Sequence, residues 1–96
     1  MSPTPSCHSA ESSQGPLSVC ILGSGSRGNA TYVSDGATAI LIDAGFSARE
    51  IDRRMRQRGL DPGALDAILV THEHGDHVRG VERLVRRHRL PVYLTA

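Results

Sequence analysis

Thr71-His72-Glu73-His74-Gly75-Asp76-His77 packs three histidines and an aspartate into six consecutive positions, directly after the apolar run Ala67-Ile68-Leu69-Val70. Neutral imidazole is the commonest protein ligand for zinc and its neighbours, and a carboxylate is its usual oxygen partner. In extended chain, side chains two apart fall on one side, so His72 and His74 can hold one ion while Glu73 points away. Gly75 lets the backbone turn and brings Asp76 and His77 to the same neighbourhood. A lone histidine is more often a surface residue. Four donors at this spacing, where a strand gives out, read as a metal site.

Upstream, Leu17 to Leu22 is a short apolar run ended by glycines and reads as a buried strand. Gly23, Gly25 and Gly28 then spell G-x-G-x-x-G, with Asp43 twenty positions past the first glycine. A dinucleotide site needs a helix to begin at such a loop, because the helix N-terminus holds the pyrophosphate. Here Asn29 to Val33 is a β-type run and Asp35-Gly36 a turn, after which Ala37 to Ile42 resumes as strand. The segment is strand, loop and hairpin, so no nicotinamide or flavin cofactor is expected. The loop's amides, with Ser24, Ser26 and Asn29, could instead hold a phosphate oxygen; a plain flexible turn accounts for the same residues equally well.

Ser47 to Glu50 has the form of a capping box and announces a helix over 47–58, with Ile51 and Met55 on one face and Gly59 as its stop. Ala64 and Leu65 suggest one further turn. A second helix starts near Asp76 or His77 and buries Val78, Val81, Leu84 and Val85 along one stripe. His88 lies roughly 16 Å up that helix from His77 at about 1.5 Å per residue, too far to share an ion. Leu90 to Leu94 reads as a last strand.

The chain has 96 residues, room for one small domain. Phe46, Tyr32 and Tyr93 are its only aromatics, so aliphatic side chains must build the core. All 11 basic residues are arginine, and those from Arg49 onward outnumber the acids there. This surplus suits a phosphate-bearing partner, although arginine-rich helices are usually just solvated faces. Residues 1–16 are rich in Ser and Pro and read as a disordered tail, with the domain over 17–96. Cys7 in that tail and Cys20 in a strand are not expected to pair, which suits a reducing compartment. With neither a signal peptide nor a membrane-spanning run in the sequence, a cytoplasmic protein is expected.

Thr-His-x-His-x-Asp-His resembles the signature of the metallo-β-lactamase fold hydrolases. Together with Leu22 to Asn29, Leu41-Ile42-Asp43-Ala44-Gly45 and Val78-Arg79-Gly80, it is similar to the WalJ/YycJ-like, DNA exonuclease-like subgroup. The resemblance implies an α/β fold, the incomplete N-terminal portion of an αββα sandwich with about five strands and two main helices. One face of its sheet would then lack a partner sheet. The resemblance also implies two divalent ions, zinc or manganese, with His72 and His74 on the first and Asp76 and His77 on the second. Asp76 would in addition orient the attacking water, as the catalytic residue. Asp43 would support the metal loop by hydrogen bonding.

The family's remaining ligands come from later segments, so this chain alone is expected to bind metal weakly and to be inactive or nearly so. The implied function is DNA phosphodiester hydrolysis, with DNA as partner and the C-terminal half of the domain missing. A thioester, lactone or RNA hydrolase of the same fold is one alternative, and a small metal-binding or interaction module without catalysis is another.

Overall fold

The computed structural model describes residues 6–12, 15–25, 28–72 and 80–94. A six-stranded sheet runs through them: β1 Ser6–Ser12, β2 Gly15–Gly23, β3 Ala30–Ser34, β4 Ala39–Ile42, β5 Ala67–Val70 and β6 Val92–Leu94. Spatial order follows chain order. Strands β1 to β4 pair antiparallel, whereas β4, β5 and β6 pair parallel. Parallel neighbours need a crossover, and the two helices supply it: α1 Ala48–Gln57 before β5 and α2 Val81–His88 before β6. A single 3-10 turn over Pro62–Ala64 stands where a turn at Ala64 and Leu65 was expected.

The hairpin predicted at Asp35-Gly36 is present. Asp35 Oδ1 accepts from the amides of Ala37 and Thr38 at 2.9 and 2.7 Å and closes the turn between β3 and β4. The glycine motif leads into β3 and not into a helix, as the β-type run after it required.

Helix α1 begins as a half-made capping box. Ser47 Oγ accepts from the Glu50 amide at 3.2 Å, but the Glu50 carboxylate takes Arg53 and Arg54 at 2.6 Å each. Those guanidiniums, Arg53 first, hold Glu50 at a pKa of about 2. The helix ends where Gly59 enters the left-handed region at φ 74°. There the Leu60 amide donates to Met55 O and that of Gly59 to Arg56 O, the double bond pattern that closes helices on a glycine.

Alternation along the strands sorts the two faces of the sheet. Cys20, Leu22, Leu41, Ile68 and Val70 point to the helix side and are buried with Ile51, Met55 and Leu84 of the helices. The other face carries Val19, Ile21, Val33, Ile40, Ile42 and Leu69, which lie in register across β2 to β5 and are half-buried or exposed. This apolar face matches the expectation of a sheet made to be covered on both sides. At the far end of the helix layer, Asp52 of α1 meets Arg87 and His88 of α2, with His88 Nε2 at 3.4 Å. His88 is thus an interhelical contact.

Two expectations are corrected. The stretch 1–16 is not wholly a disordered tail, because Ser6–Ser12 forms β1 and β2 reaches back to Gly15. Seven register pairs join the two strands, so backbone pairing on an existing edge orders a segment whose composition offers no apolar face. The cysteines were not expected to pair, yet Cys20 is disulfide-bonded, and the residue opposite it in the register is Cys7. That register is invisible in the sequence, and the cysteine argument for a reducing compartment goes with it. Among the described residues no helix is long and apolar enough to cross a membrane.

Candidate metal centre

Strands β2, β4 and β5 run in one direction, so their C-terminal ends and the loops that follow gather at one end of the sheet. The tripeptide Asp43-Ala44-Gly45, just after β4, is buried there and holds the surrounding chain. The Asp43 amide donates to Leu69 O at 2.7 Å, Ala44 O accepts from the Gly80 amide at 2.7 Å, and the Gly45 amide donates to Asn29 O at 2.9 Å.

Asp43 is 6% exposed and sits at φ 65°, a left-handed conformation that aspartate tolerates better than most residues. Its carboxylate takes both polar groups of Thr71: the amide at Oδ1, 2.7 Å, and the hydroxyl at Oδ2, 2.6 Å. Thr71 Oγ1 also lies 3.0 Å from His72 Nδ1. A hydroxyl has one proton and the carboxylate takes it, so the threonine oxygen meets His72 as an acceptor. This arrangement suits the Nδ1–H tautomer, in which an imidazole ligates a metal through Nε2. His72 is exposed at this sheet end.

The donor chemistry therefore fits a metal at the one predicted ligand that is described. His74, Asp76 and His77 lie outside the described residues. Among the described residues no group of three or more His, Cys, Asp or Glu comes together.

The glycine loop stands beside this point. Asn29 Oδ1 accepts from the Gly25 amide at 3.1 Å and Nδ2 donates to Gly25 O at 3.0 Å, so this side chain shapes the loop from within. Ser24 is exposed, and Ser26 lies outside the described residues. The glycines at 23 and 28 are needed for close approach. A Cβ on either would lie under 3 Å from the Phe46 ring, at 2.3 Å for Gly23 and 2.7 Å for Gly28. Arg54 lies over that ring with its guanidinium 4.1 Å from the centroid, while Nη1 donates to Leu22 O at 2.7 Å.

Sequence reasoning missed Thr71, Phe46, Arg54 and Gly80 as members of this frame. Thr71 belongs to the motif itself and was the one most open to discovery. A cleft of about 950 Å³ between the start of α1 and α2, lined by Ser47, Ala48, Glu82, Arg83, Arg86 and Arg87, contains none of the predicted site residues.

Comparison with known proteins bears on this geometry. Exodeoxyribonuclease YycJ of Bacillus anthracis is 42% identical over 77 residues, 80% of this chain and 29% of that protein. A hydroxyacylglutathione hydrolase of Cupriavidus metallidurans is 45% identical over 56 residues, 58% of this chain and 20% of that protein. Among solved structures, the metallo-β-lactamase MIM-1 from Novosphingobium pentaromativorans superposes with a TM-score of 0.67 at 25% identity, over 77% of this chain and 28% of that one. The chain thus spans less than a third of the length of these relatives. Since residues 23–96, taking in the glycine loop, Asp43 and the histidine cluster, match the Metallo-beta-lactamase superfamily, the chain belongs to that superfamily.

Proposed function

We propose that this chain is the N-terminal part of a two-metal hydrolase that cleaves DNA phosphodiesters. His72 and His74 are assigned to one ion, Asp76 and His77 to the other, with Asp76 also orienting the attacking water. The observation that carries the assignment is the hydrogen-bonded series from buried Asp43 through Thr71 to His72, at the C-terminal end of a parallel strand. Such outer partners fix the tautomer and direction of a ligating imidazole. Likeness to an exodeoxyribonuclease supports DNA as the substrate.

Bound there, a pair of divalent ions, zinc or manganese, supplies Lewis acidity and a water acidified toward neutrality. The chain's own residues do the rest. Asp43 fixes Thr71, Thr71 keeps the proton on His72 Nδ1, and the Ser24 hydroxyl with nearby loop amides faces the phosphate. Ser26 and Asn29 complete the proposed loop contact, Asn29 by shaping the loop. Metal binding by these residues alone is weak, because a catalytic zinc takes three protein ligands and each ion has two here.

A second reading, thioester hydrolysis, has the hydroxyacylglutathione hydrolase likeness in its favour. The test uses a polypeptide that carries this chain together with the remaining ligand-bearing segments, loaded with Mn2+ or Zn2+. It is offered end-labelled duplex DNA and, separately, a glutathione thioester. Shortened DNA with intact thioester is the expected result. Thioester cleavage with intact DNA moves the assignment to the second reading, and turnover of neither sinks both.

A further inference from the structure

The cleft between the start of α1 and α2 carries three arginines, Arg83, Arg86 and Arg87, against one acid, Glu82. These charges are not engaged equally. Arg87 is taken by Asp52 of α1, whereas Arg86 meets Glu82 at 3.0 Å in a pair that is exposed on both sides. Such an exposed pair contributes little and exchanges readily for another anion. Arg83 is exposed and has neither an acidic nor a hydrogen-bond partner among the described residues. The positive surplus of the cleft is therefore open to a ligand.

Its layout says which kind. Positions 83, 86 and 87 are three and four apart, so the side chains leave neighbouring points of one helix face, spread over about 6 Å of the axis. A row of this sort suits a repeating anion, and the planar fork of arginine pairs with phosphate oxygens two at a time. No aromatic ring stands among the described residues that line the cleft, so bases find nothing there to stack on. The cleft also begins beside the candidate metal centre. Ser47 and Ala48 start α1, and Gly80, whose amide donates to Ala44 O, packs so closely on them that a Cβ there would lie 3.1 Å from Ala48 N. From that point α2 carries its arginines back along the sheet toward the start of the parallel strand β6.

We propose that this cleft binds the phosphodiester backbone of DNA without regard to base sequence, holding a strand that extends away from the candidate centre. Naming that strand as substrate rests on the DNA hydrolase reading above; the binding itself needs neither metal nor turnover.

The experiment is fluorescence anisotropy of a short end-labelled DNA duplex titrated with this chain in EDTA, repeated across salt concentrations and with labelled polyglutamate in place of DNA. It compares the wild type with Arg83→Gln, Glu82→Gln and Arg56→Gln. Arg56 is exposed on α1 outside the cleft and gives the same charge change as Arg83. All three positions are exposed, and glutamine is a good helix former, so the variants are expected to fold. Wild-type affinity is expected to fall with salt at a log–log slope of about −2 to −3, as for two or three phosphates neutralised. Arg83→Gln is expected to weaken binding by about 5- to 10-fold and to reduce that slope by about 1. Arg56→Gln is expected to change it by less than about twofold. Glu82→Gln has the opposite sign: it frees Arg86 and is expected to tighten binding about threefold, a gain that misfolding cannot produce.

Equal losses in Arg83→Gln and Arg56→Gln overturn the proposal, because the charge then acts without the cleft. So do a Glu82→Gln chain that binds no tighter, wild-type chain that shows no salt-dependent binding, and polyglutamate bound as tightly as the duplex, which makes the partner an acidic protein segment. If the variants behave as expected while the completed polypeptide cleaves the thioester and leaves DNA intact, the hydrolase reading falls and the cleft stands as a DNA-binding face. DNA cleavage by the completed polypeptide, with Arg83→Gln binding like the wild type, does the reverse.

Discussion

The loop after β2 and the loop after β5 start at the same end of the sheet and are both tied to Asp43-Ala44-Gly45, yet different forces hold them. The glycine loop is held by graded contacts: the Phe46 ring against Gly23 and Gly28, the Arg54 guanidinium on that ring and on Leu22 O, and the Asn29 amide around Gly25. The chain leaving β5 is held at Thr71 by a buried carboxylate, and where the described chain resumes, at Gly80, a close backbone approach leaves no room for a side chain. Packing contacts can be trimmed and still leave a loop in place. A charged buried acceptor and a steric limit fail abruptly.

Asp43→Ala should break the comparison most severely. It strands the Thr71 amide and hydroxyl and removes charge-assisted bonds, so urea unfolding should show a loss of about 3 kcal/mol. Phe46→Ala acts on the other loop, where truncating a half-buried ring should cost about 2 kcal/mol and speed exchange at the Gly25 amide, with Thr71 unaffected. Thr71 exchange that rises as much as that of Gly25 would show that the loops are not held independently.

Arg54→Met removes the bond to Leu22 O and the ring contact while keeping the aliphatic stem, for a loss of about 1 kcal/mol by the same unfolding assay. Arg89, at φ 54° after α2, offers the opposite sign: Arg89→Gly should gain about 0.5–1 kcal/mol by relieving a left-handed non-glycine residue.

Glu50 gives the smallest effect and a pH signature. Its folded pKa is lowered from 4.5 to about 2 by Arg53 and Arg54. A depressed carboxylate adds stability that is complete above pH 4.5 and is lost as pH falls through about 2. Denaturation midpoints should therefore decline over that acid range in the wild type, and Glu50→Gln should flatten the decline.

What could be read from the sequence was what repeats at a local period. The hairpin at Asp35-Gly36, the helix with Ile51 and Met55 inward, its glycine stop and the strand before Thr71 all depend on neighbours a few positions away. β1 could not be read, because its order comes from pairing with β2 and not from an apolar pattern of its own. Nor could the cysteine pairing, which depends on register. At the candidate centre the residue types of the motif were plain, and Asp43 was expected to support the loop through hydrogen bonds. Its particular partner, Thr71, stands 28 positions away and had to be seen. Gly80 was read as part of the family resemblance but given no role, since the backbone that excludes a Cβ there, at Phe46 to Ala48, is distant in sequence. The histidine cluster beyond His72 lies outside the described residues, so the convergence of His74, Asp76 and His77 stands as part of the proposal.

Strand order that follows chain order has a consequence for biogenesis. Every strand from β2 to β6 joins an edge laid down by the segment synthesised just before it, so the sheet can lengthen stepwise as the polypeptide leaves the ribosome. The histidine motif emerges after β5, by which time the Asp43 carboxylate that receives Thr71 has already been made.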